Sequence, residues 1–194
     1  MLWDMCVSGK YWERHKLSSV SQRFNKGDVA KLRNRLGMFS PEKNPWRTIR
    51  DAIGNVPDPR ENHGIRDHIF RDGARSYPGH TGSDYDWPSK TIKAGGHGVP
   101  GGENMIRYAD NSLRYFTVFE AKKIQTFPDD FIITGAWGEA FRQIGNAVPV
   151  ALAEAIGKEL FKTLEKAKIR SYSLISQALK SHANLESEIL VANR

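Results

Sequence analysis

The stretch FRQIGNAVPVALAEAIG, Phe141 to Gly157, joins two kinds of chain. Its second half opens a helix: Pro149 comes early, and Leu152, Ala155, Ile156, Leu160 and Leu164 follow at helical spacing. Proline is pre-shaped for a first helical turn, and its missing N–H has no partner there in any case. The first half ends in Gly145-Asn146, the residue types that enter left-handed backbone most cheaply. The pattern therefore predicts a polar turn leading into an apolar-striped helix that runs to about Arg170.

Around this stretch the composition sets bounds. The 194 residues suffice for one ordinary domain, and 39% hydrophobic with 26% charged residues is globular. No run approaches the ~20 apolar residues of a membrane span. The start, MLWDMCVSGK, has no basic leader before an apolar core, so a cytoplasmic location is expected. The single cysteine, Cys6, excludes an internal disulfide and suits a reducing compartment. A net charge of +7 favours a polyanionic partner. Histidines 63, 68, 80 and 97 lack metal-ligand spacing and no cysteines assist them, so no metal is expected.

Further upstream, Asp28 to Phe39 reads as a short helix with Val29, Leu32 and Leu36 on one face. Pro45 to Pro59 reads as a second, with Thr48, Ile49, Ala52 and Ile53 on one face and Gly54 as its stop. From Pro59 to about Asp110 glycines and prolines cluster, predicting loops and short strands, one of them Lys90 to Ala94. Thr117 followed by Glu120 is a capping box that starts a helix ended by Phe127-Pro128.

Three stretches now stand in order: TIRDAIGNVPDP, RYFTVFEAKKIQTFPDDF and RQIGNAVPVALAEAIG. Together they resemble the carboxyl-terminal part of cytosine-C5 DNA methyltransferases, over roughly Trp46 to Leu160, the last two matching that family's ninth and tenth motifs. GKYWERH near the start resembles its connecting region. The resemblance implies that Gly145, Asn146 and the backbone of Ala147 lie against an S-adenosylmethionine pocket. It implies a target-recognition region at 59–110 facing double-stranded DNA. Thr91-Ile92 there matches a Thr-Leu-like pair before a glycine-bearing recognition loop. Lys90, Lys93, Gly95, Gly96 and His97 fall in that loop, and they and Arg75 in GARSYPGHTGS are the expected DNA contacts. Arg114 is implied as structural support for the recognition region. Phe119 and Lys123 depart from the family's arginines, which puts particular phosphate contacts in doubt but not the helix.

The family's reaction needs a nucleophile at carbon 6 of cytosine, supplied by a cysteine in a Pro-Cys loop. Cys6 follows Met5, so no catalytic residue is expected in this chain. Glu103-Asn104-Met105 and Lys31 to Arg35 echo the family's Glu-Asn-Val and Gln-x-Arg-x-Arg motifs, but in the wrong place or without the glutamine. The implied function is the recognition part of a DNA (cytosine-5-)-methyltransferase, inactive alone and completed by a partner polypeptide. The alternatives are a catalytically inactive DNA-binding module and a truncated remnant. The expected fold is α+β, a small irregular β-containing recognition domain flanked by helices. Its final helix would complete a methyltransferase α/β domain. The expected division is 1–58 connecting region, 59–110 recognition domain, 111–170 the two motif helices and 171–194 a tail.

Overall fold

A computed structural model describes residues 1–17, 26–36, 44–92 and 104–192. Contacts divide the chain into two compact units, Met1–Ala147 and Val148–Arg194. In chain order the first unit holds α1 (Leu2–Cys6), α2 (Lys10–Arg14), α3 (Lys26–Leu36), α4 (Ile49–Ile53), β1 (Ser83–Asp84), β2 (Met105–Arg107), β3 (Leu113–Tyr115), α5 (Val118–Ile124) and α6 (Trp137–Asn146). The second is one helix, α7 (Val150–Ala192). The fold is α+β, as expected.

The sheet has the order β1-β2-β3, with β1 parallel to β2 and β2 antiparallel to β3. The β2–β3 turn is written locally: the Asp110 carboxylate accepts from the Ser112 N–H and hydroxyl, and Asn111 takes the left-handed conformation at φ 66°. Gly82, at φ 76°, lets the chain pass beside β2 and β3, since a Cβ there would meet Leu113 Cδ2 at 3.1 Å. The strand expected at Lys90–Ala94 does not form over its described part. Lys90 to Ile92 is unpaired coil, and the Lys90 N–H donates to the Ser83 hydroxyl instead of a ladder carbonyl.

α4 and α5 start alike. Thr48 and Thr117 each accept from the N–H three residues on, and Asp51 and Glu120 reach back to the threonine N–H, so both are capping boxes. Thr48 is therefore a cap, buried with its hydroxyl bonded, and the apolar face of α4 comes from Ile49 and Ile53. α5 stops before Phe127-Pro128: Thr126 turns left-handed at φ 59°, and the Phe127 and Thr126 N–H groups bond back to the Lys122 and Lys123 carbonyls.

α6 replaces the predicted turn. Trp137, Ala140, Phe141 and Ile144 recur at helical spacing and pack on Ile49, Ile53, Ile106, Phe116 and Ala121 in one core. That packing holds Gly145 and Asn146 in the last right-handed turn of α6, so neither is left-handed, and the chain straightens only at Ala147 (φ −79°, ψ 142°). α7 extends beyond the expected Arg170 to Ala192. α3 appears where a helix was expected, while Gly37 lies outside the described residues.

Candidate nucleic-acid interface and cofactor wall

The first unit is organised around a buried polar network that joins β3, α5 and the loop before them. The Arg114 guanidinium on β3 is bidentate to Glu120 on α5 at 2.7 and 2.6 Å, and donates to the Tyr108 hydroxyl and Tyr115 carbonyl. Burial disfavours its charge, but Glu120 outweighs this and raises the Arg114 pKa. Glu120 also caps α5, so one carboxylate ties strand to helix. Thr117 bonds His68 Nδ1 at 2.8 Å, and His68 Nε2 stands 2.8 Å from the Pro57 carbonyl. A carbonyl only accepts, so Nε2 carries the proton and Nδ1 accepts from the Thr117 hydroxyl. Arg114 thus occupies a place where a guanidinium holds the loop, sheet and α5 in register.

A second network fixes the start of the chain. The buried Tyr11 hydroxyl bonds Thr48 and Asp86, and Arg50 pairs with the same Asp86 at 2.6 Å while lying over the Tyr85 ring. Burial raises the Tyr11 pKa, with Asp86 adding to it. Asp51 accepts from the Thr48 N–H and hydroxyl and from Arg14 and His15. Burial opposes its charge, but those donors prevail and hold its pKa below the usual carboxylate value. GKYWERH is therefore tied to the 48–51 turn by side chains far apart in sequence.

At the end of α6, Gln125 reaches across from α5 and its amide donates to the Ile144 and Ala147 carbonyls at 3.1 and 3.5 Å. The Ala147 N–H bonds the Ile144 carbonyl, so neither backbone group of Ala147 is left over. Gly145 is half-buried, while the Asn146 side chain is exposed at a helix carboxyl end and has no partner among the described residues.

The residues expected to meet DNA divide. Arg75 and Thr91 are exposed, and Lys90 is exposed with its ammonium on the Thr81 hydroxyl at 3.1 Å. Ile92 is 3% exposed and belongs to the core, so its side chain is unavailable to any partner. Lys93, Gly95, Gly96 and His97 lie outside the described residues, as does Glu103. Phe119 is buried against the His68 ring and Lys123 pairs with Asp129 at 2.9 Å, so the two departures from the family pattern serve packing and a local ion pair. Sequence reading missed Gln125, whose role only the α5–α6 approach reveals. It also missed Trp137, whose helical spacing with Ala140, Phe141 and Ile144 was the available signal.

Cys6 is free and half-buried, and burial pushes its thiol up, away from the thiolate a nucleophile needs. Among the described residues no cluster of three or more His, Cys, Asp or Glu could hold a metal, and no helix is long and apolar enough to cross a membrane.

The family model for C-5 cytosine-specific DNA methylase matches residues 8–162, and the chain belongs to that family. It is 32% identical over 154 residues to the type II methyltransferase M.MthTI of Methanothermobacter thermautotrophicus, covering 66% of this chain and 47% of that one. To the type II methyltransferase M.SacI of Streptomyces achromogenes it is 30% identical over 176 residues, covering 74% and 44%. Against M.PspPI of a Psychrobacter strain the identity is 41% over 83 residues, 43% of this chain and 19% of the relative. The chain thus spans under half the length of these relatives. Enzymes of this family use S-adenosylmethionine.

Proposed function

We propose that this chain is the recognition half of a DNA (cytosine-5-)-methyltransferase, inactive alone and completed by a partner polypeptide that carries the nucleophilic cysteine. One observation carries the reading: residues 8–162 match the family, and the single cysteine of the sequence, Cys6, lies outside that match and follows Met5 rather than a proline. Cys6 supports it, because its raised thiol pKa is the opposite of an activated nucleophile's.

The domain roles follow. Residues 59–110 face double-stranded DNA, 111–170 carry the two motif helices, and Arg114 with Glu120 holds the recognition segment on α5. A cytosine must leave the duplex to be methylated, and this chain's part is to grip the DNA around it while the other half does the chemistry. Arg75, Lys90 and Thr91 offer exposed donors for that grip, and Lys93, Gly95, Gly96 and His97 complete the loop in this reading.

S-adenosylmethionine supplies a transferable methyl group on a sulfonium. The end of α6 fits such a polar ligand: Asn146 presents a free amide on a backbone pinned by Gln125. Asn146 would donate to and accept from the cofactor's polar groups, while half-buried Gly145 leaves room for close approach. Ala147 contributes shape, since its N–H and carbonyl are engaged. In α7, Leu152, Ile156, Leu160 and Leu164 are each at least half exposed, an apolar face suited to burial against the other half.

Methyl transfer to unmethylated DNA tests this with the chain alone and with the product of the adjacent upstream reading frame. The expected result is activity only in the mixture, with Asn146→Ala raising the KM for S-adenosylmethionine. DNA binding without activity in either case would favour the DNA-binding module, and loss of both a remnant.

A further inference from the structure

Arginines of the first unit meet two kinds of surroundings. Arg50, Arg60, Arg107, Arg114 and Arg142 each face a carboxylate. Arg66, Arg71 and Arg75 are exposed, and no carboxylate pairs with them among the described residues. They fall within ten consecutive residues, on coil between Pro59 and β1. The acids of that stretch are turned elsewhere: Asp67 faces the Lys122 ammonium at 3.9 Å, and Asp72 accepts from the Gly73 N–H. With Asp67 offset by Lys122, the three guanidinium groups outweigh the remaining carboxylate, Asp72, and leave the stretch net positive.

Arg71 is also held in place. Its guanidinium lies over the Trp137 ring at 4.5 Å, and Trp137 is fixed in turn by Phe141 and Tyr115 rings and by its Nε1–H toward the Phe116 carbonyl. A stacked guanidinium keeps its N–H edge free while losing much of its freedom in advance. Two residues before it, Ile69 is 75% exposed, apolar surface that a free loop gains nothing by presenting to water.

From this we infer that residues 66–75 form a DNA-backbone clamp, separate from the 90–97 loop, in which Arg71 braced on Trp137 is the fixed phosphate contact and Arg66 and Arg75 flank it. The clamp rests on the reading of this chain as the DNA-gripping half, and it adds Arg66, Arg71 and the Trp137 brace, which the family motifs do not mark. Phosphate contacts position a protein without reading bases. The clamp therefore sets affinity and register, and sequence choice stays with the glycine-bearing loop.

The test is fluorescence anisotropy of the full chain with labelled duplexes of several unrelated sequences, titrated across salt. Arg71→Ala is expected to weaken binding roughly five- to tenfold near 0.1 M salt, equally on every sequence, and to flatten the log K against log[salt] slope by about 0.9, one phosphate's worth. Arg66→Ala, at an exposed position with no stacking to lose, is expected to flatten the slope in the same sense. Arg71→Lys is expected to keep most of the slope but lose affinity, because an ammonium cannot stack flat. Unchanged slopes in Arg71→Ala and Arg66→Ala, with melting curves intact, would overturn the clamp while leaving the recognition-half reading standing. The clamp is equally overturned if Arg71→Ala weakens only assembly with the complementing polypeptide. No duplex binding by the unaltered chain at low salt would overturn the DNA-gripping reading itself.

Discussion

α5 lies inside the family-matched region and α7 starts in it, and the two helices meet their surroundings in opposite ways. Of the seven residues of α5, Phe119, Glu120, Ala121 and Lys122 are buried, and both charged ones among them are engaged: Glu120 by Arg114 and the Thr117 cap, Lys122 by the Asp129 and Phe131 carbonyls. α7 carries Leu152, Ile156, Leu160 and Leu164 along one face, and all of them are exposed. The first helix is completed inside its own unit. The second has the pattern of a buried helix without the burial. Under the proposed function, that contrast separates the recognition unit from the helix that joins the complementing polypeptide.

The sharpest way to break the contrast is through Arg114. Arg114→Ala leaves Glu120 buried without its guanidinium and is expected to cost about 3–5 kcal/mol, enough to unfold the first unit, as denaturant melts followed by tryptophan fluorescence would show. A loss below ~1 kcal/mol would mean that α5 is not held as described. Next comes α7: Ile156→Asp with Leu160→Asp is expected to weaken assembly with the complementing polypeptide at least tenfold, read by co-purification and titration. The same double variant should leave first-unit stability within about 0.5 kcal/mol, as exposed substitutions do. A large drop in stability instead would show that the α7 face is already used within the chain.

A smaller effect sits at the other capping box. Asp51→Asn removes the charge that Arg14, His15 and Thr48 converge on, and is expected to cost about 1 kcal/mol at neutral pH. The sign follows from the lowered Asp51 pKa. The carboxylate's contribution is fully present above the unfolded value of about 3.9 and is lost as pH falls through the lower folded value. The gap between wild-type and variant melting temperatures should therefore hold from pH 7 to about 4 and close below it. A gap that is constant down to pH 2 would remove Asp51 ionisation as its cause.

The helices α5 and α7 were legible because their signals are local. Thr117-x-x-Glu120 announces α5, and the apolar spacing after Pro149 announces α7. Thr48 did not read as a cap, because Asp51 stands where a box shows Glu or Gln. α6 was hidden by Gly145-Asn146, which suggested a turn although Trp137, Ala140, Phe141 and Ile144 repeat every helical turn. The strands were illegible in detail: β1 pairs Ser83 with Ile106, a non-local ladder of two residues with no alternation to read. The candidate site shows the same limit. Arg114 and Asn146 were marked by motif, but the Gln125 pin and the Arg71–Trp137 stack join residues 22 and 66 positions apart, and only the fold brings them together.

The most direct test of the recognition-half account remains transfer of a tritiated methyl group from S-adenosylmethionine to unmethylated duplex DNA. It would be run with the chain alone, with the adjacent upstream product alone, and with both. The account predicts incorporation at carbon 5 of cytosine only when both are present. Incorporation by this chain alone would contradict it, because the nucleophile would then have to lie here.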